Sequence, residues 1–234
     1  MDQQIIIRVA DSGDIHYSHI ITNEMEASAK ARGTGIAKRS PAYLERKMEE
    51  GKAVIAVTAD GTWVGFCYIE AWGHGKFVAN SGLIVSPDFR KGGVAKQIKK
   101  RIFDLSRERY PDAKIFGLTT GLAVMKINSE LGYEPVTYSE LTDDEDFWKG
   151  CKACVNYDIL MSKERKNCLC TAMLFDPSEQ VQKAEEKVEE TKVNAKLFER
   201  FLIIKQSRLL KLLKKKDLAS NEKTKSIISY FLSL

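Results

Sequence analysis

Four groups of residues in this 234-residue chain have the types and spacing to do chemistry. The first is Arg90-Lys91-Gly92-Gly93-Val94-Ala95. It lies between a strand-like run ending at Ser86-Pro87 and a helix-like run with Ile98, Ile102 and Leu105 on one face. Glycines carry no side chain, so a ligand can approach the backbone closely. The first-turn amides of the helix lack intrahelical partners and sit at the positive end of its dipole, where a pyrophosphate fits. Arg90 and Lys91 add charge at that place; the plainer alternative is a tight Gly-Gly turn without a ligand. The second group is Phe66, Tyr68, Glu70 and Trp72, which alternation puts on one face of a strand. A carboxylate among aromatics is a candidate for base work, against the alternative of a solvent-facing strand-end glutamate. The third is Lys30 to Arg39, with two glycines and four basic residues, so a loop. Its Arg32 and Arg39 can bind a carboxylate in bidentate fashion, and its glycines let it close over a substrate. A solvated basic loop is the alternative. The fourth is Cys151-x-x-Cys154 with Cys168-x-Cys170. Two close pairs of thiolates can hold a structural Zn²⁺. The second pair, however, sits in a strand-like run over 167–175 that points both thiols to one side, and reduced, packed cysteines are the reading preferred here.

The elements that must position these groups follow from periodicity and punctuation. Gln3 to Val9 is rich in β-branched residues and reads as a strand. Asp11-Ser12-Gly13-Asp14 is a turn with capping residues, followed by apolar positions at helical spacing through Met25. Ser40-Pro41 opens a second helix and Gly51 closes it. Ala53 to Thr58 and Trp63 to Trp72 are strands joined at Asp60-Gly61, and Phe77 to Val85 follows the Gly73-His74-Gly75 turn. Then come a helix over Gly93 to Tyr110, a strand over Lys114 to Thr119, a helix over Leu122 to Leu131 and a strand over Tyr133 to Tyr138. The order β-α-α-β-β-β-α-β-α-β predicts an α/β fold: a mixed, mostly antiparallel central sheet with flanking helices.

Here the chain resembles the GNAT (GCN5-related) N-acetyltransferases, whose acetyl-CoA signature is Gln/Arg-x-x-Gly-x-Gly/Ala at a strand–turn–helix junction. Arg90, Gly93 and Ala95 match its fixed positions, Leu83-x-Val85-x-Pro87 precedes them, and Ile127-Asn128-Ser129-Glu130-Leu131-Gly132-Tyr133 looks like the family's helix entering the next strand. The resemblance covers roughly residues 4–140. It implies the GNAT acyltransferase fold, with acetyl-CoA or another short acyl-CoA as co-substrate. It also implies direct attack by an amine in a ternary complex. Backbone amides of Leu83, Ile84 and Val85 would then hold the pantetheine, with that of Leu83 or Val85 facing the thioester oxygen. Two departures stand out. Asn128 occupies the place of the family's usual Tyr acid, and can bond to the pantetheine or thiolate but not donate a proton. The strand glutamate of histone-acetylating relatives is absent from Val78-Ala79-Asn80-Ser81-Gly82. Glu70 on the preceding strand is the nearest candidate base, with Asn80 and Ser81 ordering a water between it and the amine; His74 is a second candidate. The acceptor in this fold lies where the Arg32–Arg39 loop belongs. That suggests a small acidic amine such as glutamate, although an acyl-CoA carrying its own carboxylate would be served equally.

The body, residues 1–178, holds 24 basic and 24 acidic residues, and residues 179–234 hold 13 and 8, the whole of the +5 net charge. A neutral body argues against nucleic acid as its partner. No run approaches a membrane span and the start is no secretory signal, so a cytoplasmic protein is expected. Residues 179–234 read as a basic helical tail, packed on the body or a second copy, or lying at a membrane surface, or solvated. Residues 148–178 are expected to add a cysteine-containing strand or hairpin to the sheet. Two rival functions are a binding module that has kept acyl-CoA affinity without catalysis, and an interaction protein working through its cysteines and tail.

Overall fold

The structure, a computed structural model, describes residues 4–33, 39–182 and, singly, 185, 196 and 199; for Arg32 it describes the backbone alone. The chain divides into two compact units, Met1–Ser178 and Glu179–Leu234. In the second, residues 179–182, 185, 196 and 199 are helical, and the rest of the expected tail helix lies outside the described residues.

The first unit is built on a seven-stranded sheet in the order β1-β2-β3-β4-β5-β7-β6. Its strands are β1 (Ile5–Val9), β2 (Ala53–Thr58), β3 (Trp63–Trp72), β4 (Phe77–Val85), β5 (Lys114–Thr119), β6 (Glu134–Val136) and β7 (Thr171–Phe175). Only β4 and β5 pair in parallel; all other neighbours are antiparallel. The helices are α1 (Ser18–Arg32), α2 (Pro41–Glu49), α3 (Val94–Arg109), α4 (Leu122–Glu130), α5 (Glu145–Lys149) and α6 (Tyr157–Ser162). The mixed, mostly antiparallel sheet with flanking helices is the fold class expected from the sequence.

The apolar period of each element dictates which layer it joins. Val94, Ile98, Ile102 and Leu105 of α3 are buried against Val54, Val64, Cys67 and Ile69 of the sheet. Each fully buried Ile there contributes about 2–3 kcal/mol. On the opposite face Ile21 and Met25 of α1, with Leu44 and Met48 of α2, cover Ile55, Phe66 and Tyr68. β2 is therefore buried on both faces, as is β3 up to Glu70. The Ser40 side chain caps α2 by accepting from the Tyr43 amide, and Pro41 occupies its first turn.

Two features of β4 shape the site. Its pairing with β5 runs through Phe77–Lys114, Val78–Ile115 and Ala79–Phe116 and then stops, although both strands continue. Beyond Ala79 and Phe116 the sheet therefore opens as a wedge, each arm still paired on its outer side. Second, Tyr68 pairs with Ser81 but Phe66 with Ile84, so β4 carries one extra residue, a bulge, at Gly82-Leu83. Gly82 has φ +65° and a Cβ there would lie 2.3 Å from Tyr68 Cε1. Gly82→Ala is expected to lower stability by about 2–4 kcal/mol, because it combines left-handed strain with overpacking. Equilibrium urea unfolding measures this, and a variant within 0.5 kcal/mol of the parent (roughly the spread of harmless surface changes) would contradict it.

Three sequence expectations are corrected. Lys30 to Arg32 belong to α1, which ends only at Gly33 in the left-handed region, so the loop is shorter than expected; residues 34–38 of it lie outside the described residues. The strand expected over Tyr133 to Tyr138 is confined to Glu134–Val136. The segment over 148–178 adds one strand to the sheet, β7, but its four cysteines precede that strand. Before Thr171 it holds the end of α5, a short turn of helix and α6. Asp144 caps α5 and Trp148 buries its ring while its indole donates to Thr142 O, which draws this stretch into helix. Tyr138 holds the carbonyl of Cys170, and Thr171 is the first residue to pair with β5.

Candidate functional site

The wedge between β4 and β5 is one half of the site. Ser86 N–H donates to Val64 O across the β3 ladder, so by alternation the N–H of Val85 points away from β3, into the wedge. Leu83 packs on the α3 side, Ile84 on the α1–α2 side. Past the strand end, the amides of Phe89 and Arg90 close a helical turn on Ser86 and Pro87. The next five amides, Lys91 to Ala95, find no acceptor among the described residues. Lys91 and Gly93 both have positive φ, 69° and 78°, a backbone pattern whose amides can cradle an anion at the start of the sixteen-residue α3. A Cβ on Gly93 would meet nothing within 4 Å: the cradle is open.

Arg90 does not point into that cradle. Its Nε donates to Val85 O at 3.0 Å, and one terminal nitrogen donates to Glu24 Oε1 at 2.6 Å and Ser28 Oγ at 2.9 Å. It ties the loop to α1 rather than adding charge to the loop's mouth; Lys91 is left exposed there. Beyond the cradle, Lys96, Lys100, Phe103, Ile127 and Leu131 line a groove of about 460 Å³ between α3 and α4.

Asn128 lies across the wedge, on α4 against β5. It is 1% exposed, and a Cβ on Gly117 would approach its Nδ2 to 3.7 Å. Nδ2 faces Met173 Sδ at 3.7 Å, while Oδ1 has no partner among the described residues. An orphaned buried acceptor costs about 1–3 kcal/mol. A ligand N–H or S–H entering the wedge would satisfy it.

The other half of the site lies on the α1–α2 face. Glu70 pairs across β4 with Ala79, the last residue before the wedge opens, and Tyr68 pairs with Ser81. Glu70 is 9% exposed. Its Oε1 accepts from Tyr43 OH at 2.5 Å and from Arg39 at 3.2 Å, and Arg39 Nε donates to Tyr68 OH at 2.9 Å. Burial raises the Tyr43 hydroxyl far above its ordinary range, and the bond to Glu70 and its charge add to this. Burial, then the Glu70 charge, does the same to Tyr68. Burial opposes the charge on Arg39, but Tyr68 and Glu70 outweigh it and hold the guanidinium protonated. Burial lowers Lys47, with Glu70 opposing.

The structure thus brings Glu70, Ser81 and Arg39 to one side of the wedge. Asn80 is placed elsewhere: its Nδ2 donates to Ser106 Oγ and its Oδ1 accepts from Tyr133 OH, both on the α3 side. It cannot share a water with Glu70. His74 sits in an exposed turn with φ +56°. Arg32 is the last residue of α1, and its side chain lies outside the described residues. Tyr43 and Lys47, on one face of α2, were not anticipated; nothing in the local sequence distinguishes them from ordinary helix-surface residues.

Zinc, the less favoured of the two sequence readings of the cysteines, finds no support in the structure. Cys151 and Cys154 lie in and just after the turn following α5, and Cys168 and Cys170 precede β7; all are free thiols. Burial, followed by the neighbouring thiols, pushes Cys151 up to about 11 and Cys170 up to about 12. Among the described residues no group of three or more His, Cys, Asp or Glu is arranged to hold a metal ion, and no helix is long and apolar enough to cross a membrane.

Comparison with known proteins agrees with this fold. The family model of the acetyltransferase (GNAT) family matches residues 22–124. Among solved structures, N-acetylglutamate synthase from Neisseria gonorrhoeae, complexed with coenzyme A and N-acetyl-glutamate, aligns with a TM-score of 0.53 and 20% identity over 75% of this chain. This chain spans about a third, 36%, of that enzyme's length. A Mycobacterium tuberculosis protein in complex with CoA aligns with a TM-score of 0.52 and 17% identity, over 73% of this chain and 98% of that one. yncA from Salmonella typhimurium, solved with acetyl-CoA, aligns with a TM-score of 0.50 and 14% identity, over 74% and 94%. At these identities the likeness is one of fold. No curated protein matches the chain.

Proposed function

We propose, from the match of the GNAT acetyltransferase family model to residues 22–124, that the chain is an acyl-CoA-dependent N-acyltransferase that passes an acetyl or other short acyl group to the amine of a small, carboxylate-bearing acceptor such as an amino acid. The observation that carries this reading is the wedge itself. Open amides and an orphaned Asn128 oxygen flank it, and a buried carboxylate paired with a cation faces it from the other side.

Acyl-CoA, when bound, supplies the thioester that the amine attacks. The amides of Lys91 to Ala95 hold its pyrophosphate, and Asn128 Oδ1 accepts from the pantetheine arm or the released thiol. The N–H of Val85 donates to the carbonyl oxygen as negative charge builds on it; one such donor is worth about 3 kcal/mol. Glu70 takes the proton of the attacking amine, directly or through a water held at Ser81. Asn128 donates no proton, and none is required: a thiol with an ordinary pKa of about 8.5 leaves tolerably as the thiolate. Arg39 supplies the fork for the acceptor's carboxylate. Glutamate is the first acceptor to test, since the Neisseria gonorrhoeae synthase that shares this fold was solved with N-acetyl-glutamate.

The test is thermal unfolding with CoA, acetyl-CoA and succinyl-CoA, followed by acceptor-dependent release of CoA thiol. At about 100 Kd a ligand adds about 2.7 kcal/mol, a rise in Tm of several degrees. Glutamate or aspartate should outpace amines that lack a carboxylate. No shift with any of the three at millimolar concentration would overturn the acyl-CoA reading, and faster turnover of carboxylate-free amines would overturn the acceptor class.

A further inference from the structure

One buried cation has no part in the chemistry described so far. Lys99 of α3 is 2% exposed, and no carboxylate or hydrogen-bond acceptor among the described residues receives its ammonium. Its Nζ lies over the Tyr133 ring, 5.4 Å from the centre. Its place along β4 follows from helix geometry. Ile98 and Val85 crowd the same glycine, Gly65, so early α3 lies beside the end of β4. Ser106 Oγ accepts from Asn80 Nδ2 at 2.7 Å, so late α3 lies beside the first residue past the last β4–β5 pair. α3 thus runs antiparallel to β4 along the open stretch. Lys99 precedes Ser106 by seven residues, which is two turns, the same face and about 10 Å along the axis. About three residues of strand cover that distance, from Asn80 to Leu83. The groups around the ammonium agree with this placement. Cys67, close enough to act on the Lys99 charge, donates its Sγ to Ser81 O at 3.2 Å, and Tyr133 OH donates to Asn80 Oδ1. Lys99 therefore lies against the α3 side of the β4 arm of the wedge.

The titratable groups facing it are Cys67 from β3 and Tyr133 from the stretch before β6. Burial pushes the Cys67 thiol up to about 11 and the Tyr133 hydroxyl well above its ordinary range, so neither neutralises the ammonium near pH 7. Burial lowers Lys99 itself, with Cys67 opposing. A buried cation without an anion, beside a wedge that receives a thioester, suits the charge that appears there when the C–S bond breaks.

We propose that the Lys99 ammonium pairs with the CoA thiolate as it leaves. The acceptor nitrogen bonds to the acyl carbon and gives its proton to the base. The C–S bond breaks with its electron pair on sulfur, and that sulfur comes to rest against Lys99, which keeps its own protons. The sulfur of acetyl-CoA carries no charge, so the contact is gained only as the bond breaks and acts on kcat rather than KM. This rests on the acyl-CoA reading of the wedge.

The experiment titrates the full chain with CoA and with desulfo-CoA, which lacks the sulfur, by calorimetry between pH 6 and pH 8.5. The ratio of the two affinities cancels every titration that does not involve the sulfur. Moving the bound thiol from about 8.5 to about 7.5 makes that ratio near one at pH 6 and about fivefold in favour of CoA at pH 8.5. Lys99→Met keeps the length of the side chain and removes a buried unpaired charge, so it should melt no earlier than the parent. In that variant the ratio should stay near one throughout, kcat should fall about tenfold and KM for acetyl-CoA should hold. A flat ratio in the parent overturns the pairing and requires no variant to fold. So does a rising ratio that survives in Lys99→Met. Failure of both ligands to bind the parent overturns the acyl-CoA reading and the pairing with it, whereas binding of both without the rise overturns the pairing alone.

Discussion

Replacing Glu70 by glutamine should lower kcat about 100- to 1,000-fold, within the range ascribed to a positioned general base. The substitution keeps the shape and the ability to accept from Tyr43 and Arg39, so both neighbours retain a partner in the buried site. What it removes is the capacity to take a proton from the amine. An amine near neutral pH is mostly protonated and cannot attack until that proton leaves. The affinity for acetyl-CoA should be unchanged, since Glu70 lies on the face of the sheet opposite α3. Steady-state kinetics with isothermal titration of CoA separate the two quantities. A kcat within threefold of the parent would remove Glu70 from the reaction, and a matching loss of CoA affinity would mean that the variant has disturbed the wedge.

Gly93→Asp should abolish CoA binding while the protein stays folded. Gly93 has φ +78° and open space where a Cβ would point, so Asp, among the residues that tolerate this region best, is accommodated. Its carboxylate then occupies the place where the pyrophosphate must approach the amides. Two unit charges about 4 Å apart at an effective dielectric near 20 repel by about 4 kcal/mol. A loss of at least about 100-fold in affinity, near 2.8 kcal/mol, is a cautious expectation from that figure. Gly93→Asn separates charge from bulk. It has the same shape and backbone tolerance without the charge, and should bind CoA at least tenfold more tightly than the Asp variant. Equal affinities for the two would place the pyrophosphate elsewhere.

The parts of the fold legible in the sequence were those decided by short-range signals. β2, β3 and β4 begin and end where the alternation and the turns at Asp60-Gly61 and Gly73-His74-Gly75 indicated. The start of α3 was equally plain, because Gly-Gly before an apolar 3.6 period has few other meanings. What escaped was set at long range. That β7 would slip between β5 and β6 is a choice among strand partners, and no local window contains it. Nor does a sequence show direction: Arg90 has the right chemistry for a phosphate, but Glu24 and Ser28, more than sixty residues earlier, capture it. Tyr43 and Glu70 meet across 27 positions for the same reason. Asn80 is the case that strand geometry alone decides: neighbours in a strand point to opposite faces, so Asn80 and Ser81 do not both look toward Glu70.

The late strand has a consequence for how the chain comes into being. During synthesis residues 1–165 emerge first and contain six of the seven strands, yet β5 then has an open side and β6 has no neighbour, since both pair only with β7 there. The wedge arm formed by β5 is thus anchored on its outer side only after Thr171–Phe175 leaves the ribosome. Until that moment a run containing Ile115, Phe116 and Leu118 presents an unpaired edge, the kind of surface that invites pairing with another nascent chain. A fragment ending after α4 would therefore be a hazard to its neighbours, even though it contains every residue assigned to the chemistry.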